Sequence, residues 1–310
     1  MINNKKYYMV SKMLKKVIYI LLITLMLSLS GCNGIEIEQL DSMINNNDFF
    51  ETAFNENMSQ GKNNVKLDLS SVSYGYVAIS AYSDKRLKFQ VTKDEEVYTY
   101  DIDSGGIPSI FPLQCGNGTY NFRVLENVED SKYADIYFAE KEVCLIDEFQ
   151  PYLRANDYVN YTKDSTCIQK ANELAIGTDK DIDIVTNVFN YIHANIAYDN
   201  EKAKTVKTGY LPDPDGTLTE GKGICFDYAS LTAAMLRSQG IPTKVIFGYV
   251  APDNLYHAWN MFYTKESGWI TVEYKSKGNE WNRLDLTFTV NEANEAFINN
   301  DRNYIDLYYY

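Results

Sequence analysis

Cys225 stands at the end of a glycine turn, Gly221-Lys222-Gly223-Ile224, and at the head of an apolar run that Gly240 and Pro242 close. Glycine is common just past a helix end and proline cannot continue one, so the spacing predicts a helix with Cys225 in its first turn. Unpaired N–H groups and the positive dipole end at that position favour the thiolate, the nucleophilic form of cysteine. A thiol so placed suits acyl transfer if a base lies within hydrogen-bond reach and a third group orients the base. The chain has only two histidines. His193 lies beside the apolar stripe of a predicted helix and reads as structural or solvent-facing. His257 opens a predicted strand after the loop 251–256, where its ring can point out of a sheet toward a helix start. It is the candidate base. Asp285, bracketed by Leu284 and Leu286, is the candidate orienter, because an acid among core residues must be paired. A turn or helix-cap role, with Thr287 close behind, explains the same acid equally well.

The elements that must position these groups follow from periodicity. Between 65 and 146 apolar and polar residues alternate in short runs, at 77–81, 87–91, 97–102, 120–124 and 134–138, with turns at Ser104-Gly105-Gly106 and Gly116-Asn117-Gly118. This predicts a small all-β, sandwich-like domain over 65–146, which carries no recognisable chemistry. Residues 147–165, containing Pro151, form a connector. Beyond it the period changes: Cys167, Ala171, Leu174 and Ala175 share one helical face, and Ile182, Val185, Phe189, Ile192 and Ile196 another. Residues 202–220, with Pro212 and Pro214, read as a long polar loop, placed to form a binding lip ahead of Cys225. Strands are predicted at 244–250, 257–263 and 268–274, and a tyrosine-rich tail at 297–310 is expected to close or pack on the sheet edge. Helix first and antiparallel strands after makes the 166–310 half α+β.

The N-terminus has a different character. Lys5, Lys6, Lys12, Lys15 and Lys16 flank an apolar run at 17–29, too short to span a membrane and suited to a signal-peptide core. It ends in Leu29-Ser30-Gly31-Cys32, which resembles the bacterial lipobox. The resemblance implies that 1–31 is a lipoprotein signal peptide, that Cys32 is lipidated, and that 32–64 is a solvated tether on the extracytoplasmic face of the cell membrane. An uncleaved anchor is the alternative, and Met13 offers a second possible start. Removing 1–31 takes away five lysines and no acids, which leaves 24 basic against 42 acidic residues and a formal charge of −18. So acidic a chain argues against nucleic acid as a partner. Of the remaining cysteines, Cys115 and Cys144 are expected to be buried free thiols rather than a disulfide pair. No Cys/His spacing suggests zinc and no acidic loop suggests calcium, so no metal or cofactor is expected.

The blocks Gly-x-Gly-x-Cys-x-Asp-Tyr-Ala at 221–229, Gly240-Ile241-Pro242, Gly248-Tyr249, His257-Ala258-Trp259-Asn260 and Leu284-Asp285-x-Thr287-Phe288 occur in one order and register. Together they resemble the core of the bacterial transglutaminase-like superfamily over 171–288. The resemblance implies an α+β, papain-like transglutaminase core, with a helix bearing the cysteine packed on an antiparallel sheet. It also implies a catalytic triad of Cys225, His257 and Asp285. Leu286 departs from the family, which commonly has proline after the acid. The implied reaction is attack of sulfur on an amide of an extracytoplasmic protein or cell-wall peptide, giving a thioester. The backbone N–H of Cys225 would be one oxyanion donor; Tyr210 and Trp259 are weak candidates, better suited to packing. Transfer to an amine is cross-linking, and transfer to water is deamidation or peptide cleavage. A non-catalytic binding or scaffold lipoprotein is the remaining alternative.

Overall fold

The computed structural model describes residues 52–269, 275–287, 295–298 and 300–310. The expectations for 1–31, for Cys32 and for the first part of the tether lie outside these residues, as do 270–274 of the strand expected at 268–274. The described residues belong to one compact unit, Glu36–Tyr310.

The alternating stretch forms β1 (Val65–Asp68), β2 (Tyr76–Ala81), β3 (Leu87–Lys93), β4 (Glu96–Ile102), β5 (Ser109–Pro112), β6 (Gly118–Glu129) and β7 (Lys132–Val143). They make two sheets, in the orders β1-β2-β5 and β4-β3-β6-β7. Pairing is antiparallel throughout. Leu87, Phe89 and Val91 of β3 point inward and the residues between them outward, as a period of two requires. Phe111 of β5 bridges the sheets, its ring 5.7 Å from Phe89 and 4.0 Å from Tyr100 between centroids. The same alternation corrects the expectation for Cys144. Val143 and Leu145 are buried and Cys144, between them, is exposed. Cys144 is thus turned outward, whereas Cys115 is free and half-buried.

Residues 150–152 of the connector form a short 3-10 turn, Gln150–Tyr152. Two helices follow as expected, α1 (Thr166–Ala175) and α2 (Asp181–Asn195). The next stretch differs from the polar loop expected at 202–220. It contains β8 (Ala197–Tyr198), α3 (Asn200–Thr205) and α4 (Pro214–Glu220), then β9 (Lys222–Gly223). The physical reasons are local: the Asp199 carboxylate caps α3 by accepting the N–H groups of Glu201 and Lys202, and Pro214 starts α4 where its missing N–H costs nothing.

The cysteine helix is α5 (Cys225–Arg237), buried on every side from Phe226 to Arg237. It lies against a sheet of β10 (Thr243–Val250), β11 (Leu255–Thr264), β14 (Glu280–Leu284) and β15 (Tyr304–Tyr309), in the order β14-β11-β10-β15. The two-stranded ribbon of β12 (Gly268–Trp269) and β13 (Lys275–Ser276) stands apart from it, and α6 (Glu295–Ile298) precedes β15. The tail therefore closes the sheet edge, with Ile246 opposite Tyr309 and Val250 opposite Tyr304. Gly248 permits this approach, because a Cβ there would lie 2.0 Å from the Ile305 carbonyl oxygen. A continuous apolar core runs from Val65 of β1 through α5 to Tyr310, so the β sheets and the α+β half share one interior.

Candidate active site

β8 and β9 pair in parallel, Tyr198 opposite Gly223, and so fasten the start of the 199–221 excursion beside its end. The chain then enters α5 at once. Gly223 is required by close approach, since a Cβ there would sit 2.6 Å from that of Asp227. Asp227, fully buried in the first turn of α5, accepts the Ile224 N–H at 2.8 Å and so fills one of the donors that a helix start leaves open. The same carboxylate holds Lys202 Nζ at 2.7 Å and accepts the Tyr210 hydroxyl at 2.5 Å. Burial and the bond to Asp227 push the Tyr210 pKa up to about 12. The lip is thereby clasped to the helix turn that presents Cys225.

β11 is fixed against the same helix by Asn260, whose Nδ2 donates to the Ala229 carbonyl at 2.9 Å and the Lys244 carbonyl at 3.1 Å. Three residues earlier, His257 lies at the mouth of the strand and is buried. Its Nε2 donates to Asp285, 3.0 Å from Oδ2 and 3.1 Å from Oδ1. β14 pairs with β11, Leu284 opposite Asn260, which carries Asp285 to the histidine. With Nε2 committed to Asp285, Nδ1 is the nitrogen left to serve the Cys225 thiol. Burial alone pulls the His257 pKa down. The Asp285 charge and hydrogen bond, and then the Cys225 thiol, outweigh that effect, and the imidazole is pushed up to about 10. A protonated ring beside sulfur is thus the favoured state at neutral pH.

Tyr304, at the start of β15, donates its hydroxyl to Asp285 Oδ2 at 3.1 Å. The Arg283 guanidinium lies 4.4 Å from the centre of the Tyr304 ring and bonds Asp301 at 3.1 Å. Neither Tyr304 nor the clasp of Lys202 and Tyr210 on Asp227 follows from spacing, because the partners are remote in sequence. The local signal for Asp227 was available: an acid at the third helix position is where a side chain can reach back to the cap N–H.

Cys225 and His257 line a cleft of about 720 Å³. Its walls come from the lip (206–211), from Tyr198, from β4 and from the end of β15. Tyr210 lines the cleft, but its hydroxyl is engaged by Asp227. Trp259 packs with Ile246, Val250 and Tyr304 away from the cleft. His193 sits exposed in the last turn of α2, stacked on Phe189. Among the described residues no three His, Cys, Asp or Glu side chains converge as a metal site needs. A buried acid, a cationic imidazole and a thiol at a helix start can together generate a nucleophile and protonate a leaving group.

Residues 168–274 match the family model of the transglutaminase-like superfamily. Cys225 and His257 fall inside that span, and Asp285 lies beyond its end. A curated relative, the UPF0252 protein MJ1282 of Methanocaldococcus jannaschii, is 34% identical over 82 residues, covering 24% of this chain. The chain spans only 23% of that relative's length. Similar solved structures include a proposed cysteine protease from Cytophaga hutchinsonii, at 15% identity over 74% of this chain and 73% of that one, with a TM-score of 0.39. Legionella pneumophila LapG is 15% identical over 47% of this chain and 84% of its own, with a TM-score of 0.31. Red sea bream transglutaminase is 14% identical over 71% and 48%, with a TM-score of 0.29.

Proposed function

We propose, from the match of residues 168–274 to the transglutaminase-like superfamily, that the chain is a thiol enzyme acting on amide bonds of protein or peptide substrates. Cys225 is the nucleophile, His257 the acid–base partner and Asp285 the orienter. The observation that supports this most is the buried His257–Asp285 pair, held in the cleft that Cys225 also lines.

The Cys225 sulfur attacks the amide carbonyl, and the C–S bond forms as the oxygen gains charge. The Cys225 backbone N–H, open at the helix start, is placed to donate to that oxygen. His257 gives its proton to the departing nitrogen, the C–N bond breaks, and a thioester remains. An amine or a water then attacks the thioester, the neutral imidazole takes its proton, and the thiol is restored. Asp285 keeps the imidazolium stable in a site with little water to screen it. Attachment to the extracytoplasmic face of a bacterial membrane through lipid on Cys32 is part of the proposal. It rests on the basic flank, the apolar run and Leu29-Ser30-Gly31-Cys32.

The test is incubation of the purified protein with casein and labelled cadaverine. Cadaverine incorporation identifies a transferase, ammonia release alone a deamidase, and chain cleavage a peptidase. No product of any of these kinds would refute the enzymatic reading and favour a binding module.

A further inference from the structure

The cleft around Cys225 has a wall from outside the matched domain. Val97, Thr99 and Asp101 of β4 line it. They alternate with Tyr98 and Tyr100, which are buried, so one face of β4 packs into the core and the other faces the cleft. β4 is the end strand of its sheet, paired on one side only, with β3.

The polar groups of this wall are already engaged. Thr99 Oγ1 accepts Gln90 Nε2 at 3.1 Å, and Asp101 pairs with Lys88 at 3.0 Å. What the wall offers a ligand is therefore its apolar surface, centred on the exposed Val97. Across and along the cleft stand Val206, Leu211, Leu255, Tyr256 and Tyr308, all large apolar side chains left in water. They come from the lip, the start of β11 and the end of β15. Exposed apolar side chains gathered on one cleft mark a surface that is covered in use.

We infer that this β4 wall and the apolar rim bind the residues flanking the reacting amide, and that they select an extended polypeptide segment with apolar or aromatic side chains. The spacing fits such a segment. Alternate residues of a strand lie about 7 Å apart, so the wall from Val97 to Asp101 runs about 14 Å, the length of four or five extended residues. The β sheets at the N-terminal side thus set specificity for a reaction performed by the other half of the molecule. The inference deepens the amide-bond reading above, but its binding test needs no turnover.

The test uses the full chain carrying Cys225→Ala and two fluorescein-labelled peptides with a central glutamine. One has Leu and Phe at the flanking positions and the other Ser and Gly. Anisotropy titration is expected to show the apolar peptide binding at least about tenfold tighter, the effect of burying one large apolar side chain. Adding Val97→Asp, or separately Leu211→Asp on the lip, should reduce that preference to within about threefold, with the far-UV spectrum unchanged. Equal binding of the two peptides would overturn the inference, as would a preference that survives both substitutions. If binding and selectivity appear while the casein assay gives no product, the enzymatic reading fails and the recognition surface stands. Product without selectivity gives the converse.

Discussion

The two ends of α5 are held by opposite means. At its C-terminal end Arg237, with no exposed surface, gives Nε to the Thr243 carbonyl at 2.9 Å, Nη1 to that of Arg154 at 2.6 Å and Nη2 to that of Tyr310 at 2.8 Å. Burial pulls its pKa down to about 10. At the N-terminal end Asp227 is buried just as deeply, yet it binds one backbone N–H and two side chains, Lys202 and Tyr210. Carbonyls of the connector, of β10 and of residue 310 belong to the frame, and releasing them disturbs the fold. Lys202 and Tyr210 come from the lip and stay partly exposed, so either side chain can be cut back with every backbone partner of the frame kept. One end of the helix anchors it, and the other presents a thiol.

Substitutions can separate these roles. The largest effect is expected at the presenting end: Cys225→Ala should lower casein turnover by about 10⁴-fold or more, the scale on which nucleophile loss acts, while the urea midpoint stays near that of the parent. Arg237→Met should do the reverse. With three buried carbonyls losing a donor at ~1–3 kcal/mol each, offset in part by relaxation, stability should fall by about 3–5 kcal/mol. The folded fraction should still alkylate at Cys225 at the parent rate. An equal loss of stability in the two variants, or slowed Cys225 alkylation in folded Arg237→Met, would abolish the distinction between the ends.

A third effect follows from the His257–Asp285 pair. The folded pKa of His257 is raised to about 10, above its unfolded value near 6.5. The pair's contribution to stability is therefore complete below about pH 6.5 and is lost as pH rises toward about 10. Urea midpoints measured from pH 6 to 10 should fall more steeply for the parent than for Asp285→Asn, and parallel curves would contradict the pairing. The smallest effect is expected for Tyr210→Phe, which removes one hydroxyl from the clasp and leaves the Ile224 cap intact. KM for casein should rise up to about tenfold, the worth of one hydrogen bond to a charged group, with kcat within about threefold. A fall in kcat alone would move Tyr210 from the lip to the chemistry.

What could be read from the sequence was mostly local. The limits of α5, the strands at 244–250 and 257–263, and the inward face of β3 follow from periodicity and from Gly240 and Pro242. The tail's place beside β10 followed from its tyrosines only as an edge element. The clasp on Asp227, the Tyr304 hydroxyl on Asp285 and the β4 wall depend on residues 17 to more than 100 positions apart, which no periodicity connects. Residues 202–220 look polar because α3 and α4 are short and bury few side chains, only Pro214 and Thr217 between them. Their start signals, Asp199 and Pro214, were nevertheless present in the sequence. Cys144 was misplaced by its apolar neighbours, although strict alternation from Val143 turns it outward.

The central claim is that the N-terminal end of α5 presents a thiol activated by His257. Two other free thiols serve as internal controls: burial pushes the Cys115 pKa up to about 11 and raises that of Cys167 further. The direct measurement is iodoacetamide labelling at pH 7 followed by mass spectrometry, site by site, in the parent and in His257→Gln. Cys225 is expected to react at least about tenfold faster than Cys115 or Cys167, as the thiolate is the reacting form, and that lead should largely disappear in His257→Gln. Equal rates at the three cysteines in the parent, or a lead that survives His257→Gln, would contradict the claim.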